Sequence, residues 1–265
     1  MSASTSQDAI EWYPARQLLG YSACKSVMVI LNQPIRNQSL LRDLWGLADA
    51  RIAADGGANR LYDLAKKGSG SNLEGFNDGD ANLDVIIGDL DSLSDESRRH
   101  FSKTRIIHDG DEYSSDFTKA VRHARSEYPG RDIICMGGLG GRVDQGLSQL
   151  HHLYLFQTSP TYEEGRMYLL SGESLSFLLK GGKVHLIRVR EPKPAREPFA
   201  KYVGIIPVGG PAAISTKGLE WDVQDWPTAF GGQMSTSNHV LPETEVVEIH
   251  SDNDVLFTIA LESTS

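Results

Sequence analysis

The chain has 265 residues, 40% of them hydrophobic and 8% aromatic, with a formal net charge of −9. That is too apolar for a disordered chain and too acidic for a nucleic-acid-binding footprint. No stretch approaches the ~20 consecutive apolar residues of a membrane span. The two cysteines, Cys24 and Cys135, are too few for a disulfide framework. Cys135, in the run Ile133-Ile134-Cys135-Met136, reads as a small core residue. The first eight residues are polar and carry no basic-then-apolar signal pattern, so the expected compartment is the cytoplasm.

Along the first half, short apolar runs alternate with helix-like stretches. Strands are expected over 26–31, 51–54, 84–87, 105–108 and 132–136. Helices are expected over 40–48, 58–66, 95–103 (capped by Ser92 or Ser94), 116–128 and 144–156. Such alternation predicts a mostly parallel sheet flanked by helices. From about residue 165 the pattern changes to short, often alternating runs at 167–170, 174–179, 183–188, 202–208, 212–216, 245–250 and 256–261. Gly and Pro punctuate them, which predicts an all-β sandwich. The chain is therefore expected to divide into an α/β domain, 1–164, and a β-sandwich domain, 165–265. Segments 67–82 and 191–198 read as surface insertions, while Trp12, Tyr13 and Leu18-Leu19 suggest that part of the N-terminal segment packs on the body.

Four motifs fall at expected strand-to-helix junctions. Gly88-Asp89-Leu90-Asp91-Ser92 follows the apolar run 85–87 and places two carboxylates where ligands collect on an open α/β sheet. Like charges at that spacing are costly unless a cation neutralises them, and hard oxygen ligands suit Mg²⁺. A solvated helix-capping loop is the plainer alternative. Asp55-Gly56-Gly57-Ala58-Asn59 offers either a phosphate approach at a helix N-terminus or a tight turn capped by Asp55. In Ser115-Asp116-Phe117-Thr118-Lys119, Asp116 and Lys119 share a helix face. They could serve a metal and a phosphate, or only the helix dipole and the surface. Gly137-Gly138-Leu139-Gly140-Gly141-Arg142-Val143-Asp144-Gln145 matches neither the P-loop nor the Gly-x-Gly-x-x-Gly pattern, yet could cradle a nucleotide, with Arg142 as a charged fork and Asp144 for a ribose or metal. A metal–polyphosphate site is the reading that uses all four.

Together these segments resemble the thiamine pyrophosphokinase family. The resemblance extends to Gly204-Ile205-Ile206-Pro207-Val208-Gly209, Thr216-Lys217-Gly218-Leu219-Glu220-Trp221 and Ser235-Thr236-Ser237-Asn238. It covers roughly residues 27–260, and the long loops look like its fungal branch. The resemblance implies an α/β catalytic domain, a β-sandwich, and a homodimer whose active site is shared between subunits. It implies transfer of the diphosphate of ATP to the hydroxyl of thiamine, with AMP released. Asp89, Asp91 and Asp116 match the Mg²⁺ ligands and catalytic acids, and either Asp91 or Asp116 could take the hydroxyl proton. Asp55, Gly56, Asn59, Lys119, Gly138, Arg142, Asp144 and Gln145 match the ATP side. Trp221, Ser235, Ser237 and Asn238 match the thiamine side, where an aromatic wall suits a flat cation. Glu112 stands where the family often has Gln, a departure at a thiamine contact. The rivals are a Mg²⁺-dependent phosphohydrolase with Asp89 as nucleophile and a silent nucleotide-binding module. The hydrolase leaves the Gly137–Gln145 loop and the Ser235–Asn238 segment without a job, and the binding module would tolerate loss of the metal acids without losing ligand affinity; both are less economical than the pyrophosphokinase reading.

Overall fold

The structure, a computed structural model, describes residues 9–21, 25–67, 82–192, 194 and 196–262. Cys24 and nearly all of the first insertion lie outside these residues, as do Lys193 and Pro194's neighbour Ala195 in the second.

In chain order the elements are β1 (Ile10–Trp12), α1 (Pro14–Leu19), β2 (Ser26–Ile30), α2 (Gln38–Leu47), β3 (Ala50–Ala54), α3 (Gly57–Lys67) and β4 (Val85–Gly88). Next come α4 (Asp95–His100), β5 (Arg105–His108), α5 (Asp116–Glu127), β6 (Asp132–Met136), α6 (Val143–Phe156) and β7 (Met167–Leu170). The remainder is strand: β8 (Ser174–Leu179), β9 (Lys183–Arg188), β10 (Phe199–Ile206), β11 (Ala212–Lys217), β12 (Trp226–Thr228), β13 (Ser235–His239), β14 (Val246–Ser251) and β15 (Val255–Leu261). The chain forms two compact units. One holds residues 22–156 and 163–172, and the other holds 1–21, 157–162 and 173–265.

The α/β unit carries parallel strands in the order β7-β6-β2-β3-β4-β5. Strands β2, β4 and β7 are buried at every position, as a parallel sheet covered on both faces requires. Helices start where polar side chains satisfy free N–H groups. Asn37 accepts from Leu40 N–H, Ser94 from Ser97 N–H and Ser115 from Thr118 N–H, each cap stabilising by about 1 kcal/mol. Of the two expected caps for α4, Ser94 is the one used. Chain direction across the sheet reverses between β2 and β6, so the loops after these strands flank a switch point, the usual ligand crevice of such sheets.

The other unit contains the five-stranded sheet β1-β9-β14-β11-β12 and a second layer of strands in the order β13-β10-β15-β8, antiparallel except for the parallel pair β1–β9. Trp12 is fully buried and links them. Its ring stacks on Phe177 at 4.4 Å, and its Nε1–H donates to His185 Nδ1 at 3.0 Å. No helix of the described residues is long and apolar enough to cross a membrane.

The single cut expected at residue 165 is replaced by a discontinuous division. Residues 9–21 join the β unit, because β1 adds to β9 and Arg16 pairs with the buried Glu191 at 2.8 Å. That unit consequently carries a helix, α1, and is not purely β. Strand β7, assigned from sequence to the second domain, instead pairs in parallel with β6 and belongs to the α/β unit. Its continuous run Met-Tyr-Leu-Leu, without alternation, is the pattern of a strand buried on both faces.

Candidate active site

Strand β3 delivers Asp55 and β4 delivers the 88–92 loop, while the first residue of α5 is Asp116. Among the described residues, Asp55, Asp89 and Asp116 bring carboxylate oxygens within 4.8 Å of one another. Gly88 makes this possible. A Cβ there would lie 2.7 Å from Asp116 Oδ1 and 2.8 Å from Asp55 Cβ. Backbone donors hold the group: Ser92 N–H donates to Asp55 Oδ2 at 3.0 Å and Asp89 N–H to Asp116 Oδ1 at 3.1 Å. Asp55 is 1% exposed, and its Oδ1 has no hydrogen-bond partner among the described residues. Burial, opposed by the Ser92 donor and reinforced by the charges of Asp116, Asp89 and Asp91, pushes its pKa from 3.8 up to about 6. Asp55 and Leu90 both adopt positive φ, 40° and 66°, a conformation that costs free energy and recurs at functional loops.

Asp91 stands outside the group of three. It is exposed, accepting from Ser92 Oγ at 2.8 Å. Asn59, expected on the ATP side, turns its amide to the protein: Nδ2 donates to Ser92 O at 2.6 Å, and Oδ1 accepts from Ser94 N–H at 3.1 Å. It therefore shapes the 88–94 loop. Lys119 is buried, with Nζ 3.4 Å from Asp116 Oδ1. Gly57 is required by packing, since a Cβ would lie 2.2 Å from the Ile30 carbonyl oxygen.

A cleft of about 270 Å³ opens beside the acids, lined by Asp55, Gly56, Asp89, Asp116 and Gln145 among the expected residues. In the glycine loop, Gly137 and Gly138 N–H both donate to Leu170 O at 3.1 Å, and Leu139 N–H donates to Gln149 Oε1 at 2.5 Å. The first part of this loop is thus bound to the protein itself. Arg142 and Asp144 are exposed and form a two-pronged pair, Nε–Oδ1 3.1 Å and Nη2–Oδ2 2.5 Å. That pairing holds the Asp144 carboxyl below its ordinary range and the Arg142 guanidinium above its own.

In the β unit, Trp221 is 55% exposed, its ring 5.0 Å from His239. Asn238 is buried and bridges the Trp221 backbone, accepting from its N–H at 3.2 Å and donating to its carbonyl at 2.9 Å. Ser235 and Ser237 lie on β13 beside it, Ser237 exposed with φ 54°. Glu112 is exposed in the turn between β5 and α5.

The family description "Thiamin pyrophosphokinase, catalytic domain" matches residues 41–162, and "Thiamin pyrophosphokinase, vitamin B1 binding domain" matches 184–256. The "Thiamine pyrophosphokinase 3" of Oryza sativa subsp. japonica is 34% identical over 247 residues, spanning 88% of this chain and 86% of the relative. The chain belongs to the thiamine pyrophosphokinase family.

The enzyme of Saccharomyces cerevisiae is 27% identical over 290 residues, covering 89% of this chain and 85% of its own. With the rice relative at the higher identity, these figures give no support to a fungal placement within the family. The crystal structure of yeast thiamin pyrophosphokinase superposes with a TM-score of 0.82 at 24% identity, covering 99% of this chain and 95% of that one. The Bacillus subtilis structure does so at 0.65 and 18%, covering 90% and 99%. These likenesses establish the fold that the family shares: a parallel α/β domain followed by an antiparallel β-rich one.

Sequence reasoning passed over several residues that lie in or around the acidic cleft. Gly88 was read as a motif letter, whereas it is the space into which two carboxylates fit. Asn32 and Gln33, after β2, line the cleft and could have been found from the switch-point rule alone. Gln149 and His152 sit two and three turns into α6, and no local pattern marks them.

Proposed function

We infer that this chain is a thiamine pyrophosphokinase, moving the diphosphate of ATP onto the primary hydroxyl of thiamine and releasing AMP. The observation that carries the reading is the gathering of Asp55, Asp89 and Asp116 at the ends of parallel strands, in a chain whose two parts match the family's catalytic and vitamin-binding domains in order.

Three carboxylates, one with a buried oxygen lacking a partner, fit a hard divalent cation. We assign Mg²⁺ to Asp55, Asp89 and Asp116, a set in which Asp55 takes the place that the family resemblance implies for Asp91. When bound, the ion supplies the charge neutralisation that phosphoryl transfer needs. The remaining work is positional. Gly56 and Gln145 wall the cleft for ATP, and the exposed Arg142 faces solvent ready to engage phosphate oxygens as a planar fork. The thiamine hydroxyl attacks the β-phosphorus and its proton passes to a carboxylate of the cluster, as AMP departs. Aligning nucleophile and leaving group in a preorganised field accounts for most of the acceleration in such a transfer. Trp221 offers the face for a cationic ring, with Ser235, Ser237 and Glu112 as polar contacts and Asn238 fixing Trp221 in place. The proposal includes a homodimer in which the acidic cleft of one subunit serves the Trp221 face of the other, and a cytoplasmic location.

Phosphorus NMR of the protein with ATP, Mg²⁺ and thiamine tests the transfer. The expected products are AMP and thiamine diphosphate, both lost in Asp89→Asn. Production of ADP or free phosphate would instead favour the hydrolase reading. Sedimentation at micromolar concentration tests the dimer.

A further inference from the structure

His152 is buried in the third turn of α6, outside every motif discussed so far, yet it contacts the cap of the helix that carries Asp116. Its Nδ1 lies 2.5 Å from the Ser148 carbonyl oxygen, which can only accept, so Nδ1 bears the hydrogen. Nε2 is then an acceptor. It sits 3.0 Å from Ser115 Oγ and 2.8 Å from Thr118 Oγ1. Ser115 is the N-cap of α5, with Oγ also accepting from Thr118 N–H at 3.2 Å. The imidazole stacks on Phe117, ring centres 4.4 Å apart at 18°. All three partners adjoin or follow Asp116, and α6 itself contributes Gln145, Ser148 and Gln149 to the cleft.

We propose that His152 is a positioning residue: it locks the hydroxyls of Ser115 and Thr118, and so fixes the first turn of α5 that aims Asp116 at the metal. The inference rests on the reading of Asp116 as a metal ligand. Groups that orient such ligands from behind typically influence affinity by about 10–100-fold when removed. A neutral histidine suits the place. A cation there would lose its acceptor and lie buried without a counter-charge.

The test is Mn²⁺ binding, followed by the loss of the free-ion EPR signal, with thermal melting as the control for folding. His152→Phe keeps the stacked ring and removes both hydrogen bonds, and His152→Gln restores an acceptor near the Nε2 position. Thr118→Val, nearly isosteric, breaks the same bond from the other side without touching the histidine. Expected are a roughly tenfold weaker Mn²⁺ affinity and a matching rise in half-saturating Mg²⁺ for His152→Phe. Thr118→Val should shift in the same direction, His152→Gln should recover most of the loss, and the KM for thiamine should stay unchanged throughout. Wild-type Mn²⁺ affinity in folded His152→Phe, or in Thr118→Val should the first not fold, overturns the inference. If Asp89→Asn also binds Mn²⁺ like the wild type, the metal reading itself fails, and this inference with it.

Discussion

The acidic cleft and the Trp221 face solve opposite problems. In the cleft, polar groups are left over: three carboxylates converge, and one buried oxygen of Asp55 has no donor among the described residues. At the Trp221 face, the buried amide is committed to the protein. The Asn238 amide binds both the N–H and the carbonyl of Trp221, and its Oδ1 also accepts from His239 N–H at 2.8 Å. What remains exposed there is the Trp221 ring, with Ser237 beside it on β13. The first region stores unfavourable electrostatics that a cation relieves, whereas the second removes polar freedom so that a ring is held still. The proposed site for a polyanion with its metal and the proposed site for a flat cation call for these two treatments respectively.

The largest effect should come from deleting charge in the cleft. Asp89→Asn keeps the shape and the backbone bonds but removes one of three converging charges. We expect kcat to fall by about 10²–10³-fold or more, comparable with loss of a preorganised electrostatic contact, with the melting temperature of the metal-free protein unchanged or raised. A rise is allowed because repulsion within the cluster is relieved. Steady-state kinetics and a melt in EDTA together check this. A large fall in melting temperature would mean the acids are structural and erase the contrast between the regions.

A pH titration sharpens the same point. Asp55 has its pKa raised from 3.8 to about 6, so between those values the folded chain holds a proton that the unfolded chain has released. Stability from this group is therefore lost as pH rises across that window, and the cost is fully present above it. Metal-free wild type should lose melting temperature relative to Asp55→Asn over this range. Saturating Mg²⁺ should abolish the difference, because the ion binds the charged form.

How much of this was legible in the sequence differs between the regions for physical reasons. The parallel sheet announced itself, since strands buried on both faces read as unbroken apolar runs, and Ser94 and Ser115 carried the chemistry of helix starts. Asp89 and Asp116 are singled out in the sequence by their place after a strand and at a helix start, and the fold brings them together. Asp55 is singled out too, on the nucleotide side, but its meeting with the other two carboxylates is visible only in the fold, where β3 and β4 are adjacent and Gly88 leaves the space. Strands β1, β12 and β13 escaped notice. Ile10–Trp12 and Trp226–Thr228 are three residues each, and Ser235–His239 is wholly polar, so neither period nor hydrophobicity marked them. The membership of residues 9–21 in the β unit depends on the pairing of β1 with β9, a contact between positions about 175 apart in the chain.

At the Trp221 face the comparison predicts that the pin matters more than the polar atoms around it. Asn238→Ala leaves the Trp221 backbone N–H and carbonyl without their partner, a loss of about 1–3 kcal/mol where such groups are buried. It should both lower the melting temperature and raise the KM for thiamine. Trp221→Ala removes an exposed ring and should raise that KM several-fold with little change in melting temperature. Equal losses of stability in the two variants would show that the ring is packed for the fold and not presented to a ligand.

The smallest effect should come from Arg142→Ala, and it separates recognition from stability most cleanly. The guanidinium and the Asp144 carboxylate are both exposed, 75% and 59% by side chain. In water such a pair gains little over its hydrated parts, because solvent screens the attraction and ordering two side chains opposes it. The melting temperature should therefore stay where it was. If Arg142 leaves Asp144 to meet phosphate oxygens, the KM for ATP should rise a few-fold while the KM for thiamine is unaffected. Arg142→Lys should recover only part of the loss, since an ammonium cannot reproduce a two-pronged contact. A fall in melting temperature with unchanged KM for ATP would reassign the pair to holding the first turn of α6, and the nucleotide's contact would then have to be sought among Asn32, Gln33 and Gln145 along the cleft wall.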